Sequence, residues 1–422
     1  MKLYKYILVV EDSHMFSRIL KRSIEAVDHF KVITVESFQE LRILLTEGEY
    51  EFFAALLDVN LPDAPNGEII DYVLEHDIPS VVFTGKLDEN FRSQIYIKGI
   101  VDYVLKEGPT NVEYMVSLLK QLERNRKLTV LIVDDSKSAR SYVRHLLAIY
   151  QFNIIEAEGG AEALNIIDKN KIDLVLADFH MPEMDGLELT KKIRTRFSSQ
   201  DMAIIGMSTY GNNKLSAHFL KLGGSDFITK PFLEEEFFCR INQNMDLLDH
   251  IRVLKSLATE DYLTGLYNRR YFFDAGKNII KENKKNGETC CIAVLDIDFF
   301  KNINDSYGHD VGDRVLQKLG EILSLELTGA DLVARYGGEE FCFLIAGISK
   351  EESLAKLDGI RKLIEMNSFV LKNGEALKIT ASIGICTGVL DNLKDALKTA
   401  DKGLYQAKAD GRNKTVLMEI SE

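Results

Sequence analysis

Short aliphatic and β-branched runs recur along the first half of the chain, and longer segments with apolar residues at helical spacing separate them. Ile7-Leu8-Val9-Val10, Ala55-Leu56-Leu57, Val81-Val82-Phe83 and Tyr103-Val104-Leu105 read as buried strands. Ala161 to Lys169 and Leu187 to Arg196 read as amphipathic helices. The alternation predicts parallel strands joined by crossover helices, an open doubly wound α/β sheet.

The pattern occurs twice. Ile7 to Ser13 returns as Val130 to Ser136, and Ala55 to Asp58 as Val175 to Asp178. Val81 to Thr84 returns as Ile205 to Ser208, and Tyr103 to Lys106 as Phe227 to Lys230, all offset by 120 to 124 residues. Such self-similarity identifies a duplicated domain. Each copy ends its strands in polar residues: an acidic pair, a central Asp, a hydroxyl and a Lys. Polar strand ends at the carboxyl edge of a parallel sheet converge in space. One such Asp is ordinarily a helix cap. Four groups occurring together twice form an oxygen-rich acidic pocket that suits Mg²⁺, with a Lys to pair a phosphoryl group and an Asp to accept one.

On these residues, segments 1–125 and 127–247 resemble the receiver domain of response regulators. The resemblance implies phosphoryl transfer from a cognate histidine kinase or phosphotransfer protein to Asp58 and Asp178. It assigns Mg²⁺ to Glu11, Asp12 and Asp58 and to Asp134, Asp135 and Asp178. It assigns the switch to Thr84, Tyr103 and Lys106 in the first copy, and to Ser208, Phe227 and Lys230 in the second. Lys230 precedes the family's usual proline, Pro231, whereas Lys106 precedes Glu107. Gly85 follows Thr84 where Thr209 follows Ser208, which predicts a more open phosphate entrance in the first copy.

Residues 244–260 lack Gly and Pro and space Leu247, Ile251, Leu254 and Ala258 like a coiled-coil seam, which predicts a helical linker able to pair two chains. A further continuous helix is expected at Val112 to Lys127. Beyond Asp261 the pattern changes. Cys291 to Leu295 reads as a strand ending in Asp296-Ile297-Asp298, whose two carboxylates are expected to serve opposite faces. Leu332 to Tyr336 and Cys342 to Ala346 flank Gly337-Gly338-Glu339-Glu340 as a hairpin whose turn needs positive φ. Carboxylates on neighbouring strands can hold Mg²⁺ against a triphosphate. Lys408 and Arg412, four apart on an expected helix at Ala400 to Ala409, are expected to share a face that can grip phosphates.

With Asp261-Tyr262-Leu263-Thr264-Gly265, Ala381-Ser382-Ile383-Gly384 and Gly411-Arg412-Asn413, segment 261–422 resembles a GGDEF domain in its GGEEF variant. The resemblance implies condensation of two GTP molecules into cyclic di-GMP by a homodimer. It assigns Mg²⁺, with Mn²⁺ as an alternative, to Asp296, the Ile297 carbonyl and Glu339, with Glu340 contributing to metal geometry. Glu339 is also implied to activate the 3′-hydroxyl. Asn304 and Asp313 would read guanine; Phe300, Lys301, Lys408, Arg412 and the glycines Gly337 and Gly338 would meet the triphosphate. The family's product-binding Arg-x-x-Asp is incomplete here, reading Thr328-Gly329-Ala330-Asp331. The competing expectation is a non-catalytic module that senses GTP or cyclic di-GMP through protein contacts.

Composition narrows the class. Apolar residues make up 46% and charged residues 28% of 422, an ordinary globular balance, and the net charge of −13 argues against a nucleic-acid partner. No apolar run reaches the roughly 18 residues of a membrane span. The five cysteines form no Cys-x-x-Cys pair and read as buried reduced thiols, which fits a cytoplasmic protein.

Overall fold

The computed structural model describes residues 4–65, 67–85, 95, 98–106, 108–209, 213–327, 331–370 and 376–419. The chain folds as two compact units, Met1–Asp249 and His250–Glu422.

In the first unit, one copy comprises β1 (Lys5–Val10), α1 (His14–Glu25), β2 (Phe30–Val35), α2 (Phe38–Glu47), β3 (Phe52–Asp58), α3 (Glu68–Leu74), β4 (Ser80–Thr84), β5 (Asp102–Leu105) and α4 (Gly108–Asn125). The other comprises β6 (Thr129–Val133), α5 (Lys137–Ile149), β7 (Asn153–Ala157), α6 (Gly160–Lys169), β8 (Leu174–Asp178), α7 (Gly186–Arg194), β9 (Ala203–Ser208), α8 (Asn213–Lys221), β10 (Asp226–Thr229) and α9 (Glu234–Thr259). The sheets run β2-β1-β3-β4-β5 and β10-β9-β8-β6-β7, with parallel pairing throughout. Helices on both faces explain why Ile7 to Val10 and Val130 to Val133 are apolar at every position rather than at alternate ones.

The two copies share a core. Leu119 and Leu122 of α4, Leu146 and Leu147 of α5, Tyr150 just beyond it, and Phe237 and Phe238 of α9 belong to one buried cluster. Tyr150 stacks on Phe238, and Arg124 of α4 pairs with Asp246 of α9. The linker expected at 244–260 is the distal part of a longer helix. With no Gly or Pro between Glu234 and Thr259, α9 starts ten residues sooner and buries Phe237, Phe238, Ile241, Met245 and Leu248 in this core. Of the expected seam, Leu247, Leu254 and Ala258 are exposed and Ile251 is half-buried.

The second unit contains β11 (Tyr267–Asn268), α10 (Arg269–Asn286), β12 (Cys290–Ile297), α11 (Phe300–Tyr307), α12 (His309–Glu326), β13 (Leu332–Gly337), β14 (Glu340–Ala346), α13 (Lys350–Met366), β15 (Ser368–Val370), β16 (Ala376–Lys378), β17 (Ala381–Gly388), α14 (Leu393–Ala409) and β18 (Thr415–Met418). Its main sheet, β11-β13-β14-β12-β17-β18, is antiparallel across the middle four strands and parallel at both edges. Four cysteines are buried as expected, but Cys239 is exposed on α9, because its apolar neighbours Phe237 and Phe238 take the inward positions. Among the described residues no helix is long and apolar enough to cross a membrane.

Candidate functional site

Both receiver-like pockets form at the carboxyl ends of their sheets. In the first, Lys106 Nζ lies 2.6 Å from Asp58 Oδ2 and 2.7 Å from Glu11 Oε2. Burial pushes the Glu11 carboxyl above its usual range despite that lysine. Burial alone would lower Lys106; Asp58 and Glu11 outweigh it and hold the amine up. In the second, Lys230 Nζ lies 2.7 Å from Asp134 Oδ2 and 2.6 Å from Asp178 Oδ1, with the same balance. An acidic pocket that already recruits a cation fits a divalent ion. Ligand oxygens of Glu11, Asp12 and Asp58 come within 4.8 Å of one another. Asp134, Asp135 and Asp178 are not drawn together as closely.

The openness of the two phosphoacceptors is opposite to expectation. The Asp58 side chain is 3% exposed and the Asp178 side chain 13%. The backbone bond to the phosphoacceptor is common to both copies, from the Asn60 amide to Asp58 Oδ1 and from the His180 amide to Asp178 Oδ2, whereas the Asn60 side chain donates to Thr84 Oγ1 at 3.2 Å. In the second copy His180 stands at the equivalent place, exposed, its ring against Phe179. Thr84 and Ser208 are buried, Phe227 points into the core, and Tyr103 is half-buried. Glu107 lies outside the described residues. Gly67 and Gly186, in the loops after Asp58 and Asp178, have different causes. Gly67 takes a left-handed φ of 76°, whereas a Cβ on Gly186 would lie 2.6 Å from the Asp178 carbonyl oxygen.

The third site forms where β12 ends beside the β13–β14 turn. The register sets Asp296 opposite Glu340, and Gly337 opposite Glu340 closes a two-residue turn of Gly338 and Glu339, with Gly338 at φ +49°. Neither Gly337 nor Gly338 has an atom within 4 Å of where a Cβ would stand, so the turn is open to a ligand. Asp296, 6% exposed, pairs with Lys408 Nζ at 2.8 Å. Burial, with Glu339 and Asp298 nearby, keeps Asp296 above the usual carboxylate range in spite of that lysine. Burial and the charges of Asp296 and Asp401 do the same to Glu340. Carboxylates so placed are short of positive charge, which fits a divalent cation at Asp296, the Ile297 carbonyl and Glu339.

Asp298 is used differently from Asp296, but not because the two point to opposite faces of a strand. Positions two apart on a strand share a face. The strand ends at Ile297, and Asp298 turns away to accept from Thr380 Oγ1 and Ser382 Oγ, each at 2.7 Å, and from the Asn413 amide at 3.0 Å.

Asn304 lies against Gly312, and its Oδ1 is buried with no hydrogen-bond partner. A buried acceptor left unpaired is costly, so a ligand N–H belongs there. Asp313, on the next helix, is exposed. The Phe300 ring is buried, so only its backbone can meet a phosphate; Lys301 is exposed at the first turn of α11. Thr328 lies outside the described residues. Asp331 pairs with Lys356 Nζ at 2.7 Å.

Two residues that support the site were not assigned a role from sequence. The Arg335 guanidinium donates to the Gly338 carbonyl from Nε at 3.0 Å and Nη2 at 2.8 Å, and grips Asp261 at 3.1 and 3.3 Å. Asp261 caps its own turn by accepting from Thr264 N and Oγ1. The segment after α9 is thereby fastened to the acidic turn. Both residues sit inside motifs, but their 74-residue separation hides the pairing.

Comparison with known proteins agrees with this division. The family model "Diguanylate cyclase, GGDEF domain" matches residues 258–414, and "Response regulator receiver domain" matches 7–117 and 130–242. The response regulator PleD of Caulobacter vibrioides is 32% identical over 297 residues, covering 68% of this chain and 65% of that protein. Diguanylate cyclase A of Treponema denticola is 33% identical over 243 residues, covering 54% of this chain and 64% of that protein. The matches thus span just under two thirds of these curated relatives. A crystal structure described as a putative two-component system response regulator/GGDEF domain protein superposes with a TM-score of 0.53 at 35% identity, over 58% of this chain and 99% of that one.

Proposed function

Since this chain belongs to the response regulators that join receiver domains to a GGDEF domain, we propose that it condenses two GTP molecules into cyclic di-GMP, under control of phosphorylation at Asp58 and Asp178. The observation that carries this reading is the convergence of Asp296, Glu340 and Lys408 beside the Gly338–Glu339 turn.

Asn304 Oδ1 accepts from the guanine amine or N1–H, and Asp313 accepts a second donor on the same edge. The first amides of α11, at Phe300 and Lys301, lack intrahelical acceptors and meet phosphate oxygens together with Lys301, Lys408 and Arg412. Asp296, the Ile297 carbonyl and Glu339 would hold a Mg²⁺ ion, which would supply positive charge to the triphosphate. Glu339 takes the 3′-hydroxyl proton of the facing GTP. The freed oxygen bonds to the α-phosphorus and pyrophosphate leaves; the second half-reaction repeats this on the other copy. Two copies must face each other, and the exposed apolar positions Leu247 and Leu254 of α9 suit that pairing.

A histidine kinase or phosphotransfer protein supplies the phosphoryl group, in the cytoplasm. The test is incubation of the full chain with GTP and Mg²⁺, followed by nucleotide chromatography. GTP binding without product would favour the sensing module instead.

Phosphorylation at Asp178 is expected to act on output more directly than at Asp58. Helix α9 carries both core residues of the second receiver and the exposed seam, so repacking at Phe237 and Phe238 moves the seam of the same helix. Beryllofluoride should still activate Asp58→Ala but not Asp178→Ala; the reverse pattern would overturn the ranking.

Product inhibition through the Arg-x-x-Asp position is expected to be weak. Its Arg is replaced by Thr328, and Asp331 is engaged by Lys356. A missing charge-assisted bond costs about 1.5–3 kcal/mol, roughly ten- to a hundredfold in affinity. Initial rates across GTP concentrations with added cyclic di-GMP should show competitive inhibition or none. Noncompetitive inhibition relieved by Asp331→Ala would refute this.

A further inference from the structure

Phe299 breaks three local rules without a packing return. It takes a left-handed φ of 57°, a conformation that L side chains other than Asn and Asp rarely adopt. It occupies the N-cap of α11, where its side chain makes no capping bond. The residue is 56% exposed. Violations of this kind gather where function, rather than stability, sets the residue.

Among the described residues the ring has one cationic partner, the Arg412 guanidinium, 4.4 Å from its centroid. Arg412 does not share a helix face with Lys408 as expected, because α14 ends at Ala409 and a constrained loop follows: Gly411, Arg412 and Asn413 have φ of 104°, 64° and 49°. That backbone is fixed from several sides. The Arg412 amide donates to the Ala407 carbonyl at the end of α14, and the Asn413 amide donates to Asp298. The Asn413 side chain is held by Arg361 and Glu365 of α13. The guanidinium, in contrast, has no hydrogen bond or ion pair among the described residues. An Arg that stacks by its face keeps its edge N–H groups free for a planar or tetrahedral anion.

From this arrangement we infer that Phe299 is a positioning residue, a platform that holds the Arg412 guanidinium edge-outward beside the N-terminus of α11 to receive the terminal phosphates of a nucleoside triphosphate. Asp298 anchors the loop that brings Arg412 there. The inference rests on the GTP reading of this site and adds to it the residue that orients one phosphate-binding arm.

The test separates the platform from both folding and the reaction. Phe299→Asn removes the ring but suits both the left-handed φ and the N-cap, so folding is retained. Phe299→Tyr keeps the ring. KM and kcat for GTP are measured on the full chain, with equilibrium affinities for α,β-methylene-GTP and for GMP. Phe299→Asn is expected to raise KM about fivefold, with kcat within about twofold of wild type and Phe299→Tyr close to wild type. The analogue should bind more weakly to Phe299→Asn, while GMP affinity stays unchanged. Phe299→Asn should add nothing further to Arg412→Ala.

An unchanged KM and analogue affinity in Phe299→Asn would overturn the platform. So would an equal loss in Phe299→Tyr, or a loss shared by GMP. If the wild-type chain forms no cyclic di-GMP, the catalytic reading fails, yet the analogue and GMP affinities still decide whether the platform exists.

Discussion

Glu339→Gln is expected to lower cyclic di-GMP formation at least about a thousandfold while leaving the fold intact, because the residue combines charge and basicity and the amide supplies neither. Glu339 sits in the two-residue turn between β13 and β14, half-buried. Among the described residues its carboxylate makes no hydrogen bond or ion pair, so the substitution breaks no internal contact. The turn is held by other groups: Gly338 provides the positive φ, and Arg335 grips the Gly338 carbonyl. Loss of general-base catalysis alone is worth about two to four orders of magnitude, and weaker cation binding adds to it. Chromatography of the products and a thermal melt of the same sample make the measurement. Near-normal turnover by a folded Glu339→Gln chain would exclude Glu339 from the chemistry.

Gly384→Ala is expected to be the most destabilising single methyl in the second unit, by about 3–5 kcal/mol. The position needs no unusual φ; it needs space. A Cβ on Gly384 would stand 2.0 Å from the Ala400 carbonyl oxygen, 2.2 Å from the Leu404 amide nitrogen and 2.8 Å from the Gly403 carbonyl carbon. These are backbone atoms of α14, and no rotamer change removes them. Gly403 on the helix side is also tight, with the Gly384 Cα 3.2 Å from its own would-be Cβ. A methyl therefore lifts α14 from β17, and α14 carries Lys408, so activity should fall with stability. Gly359, on α13, is the control, since nothing lies within 4 Å of its would-be Cβ. There Ala should stabilise by about 0.5–1 kcal/mol through helix propensity. Hydrogen exchange of α14 amides in the full chain reports on this unit separately from the receivers. A protection loss below about 1 kcal/mol would refute the clash argument.

Chemical identity and periodicity were enough to expose most of this molecule. Strands buried on both faces show as unbroken aliphatic runs such as Ile7 to Val10 and Val130 to Val133. Duplication shows because the strand-end polar residues recur in order. The acidic hairpin shows because Gly337-Gly338-Glu339-Glu340 lies between two apolar runs and another apolar run ends in Asp296. Each of these signals is local, carried by residues within a few positions of one another.

Pairings between distant elements were decided only by the tertiary structure. Arg335 finds Asp261 across β11 and β13, and Phe299, just after β12, finds Arg412, just before β18. The Asp58 side chain is less exposed than that of Asp178, and Asn60 bonds Thr84 where His180 lies against Phe179. The second receiver's last helix merges with the linker because α9 has an inward face at Phe237 to Leu248 and an outward one at Leu247 and Leu254. Sequence fixes which residues prefer burial, charge or a turn, since those preferences belong to single side chains and their near neighbours. Which arginine meets which carbonyl, ring or carboxylate depends on how the packed helices bring chain segments together, and that geometry exists only after folding.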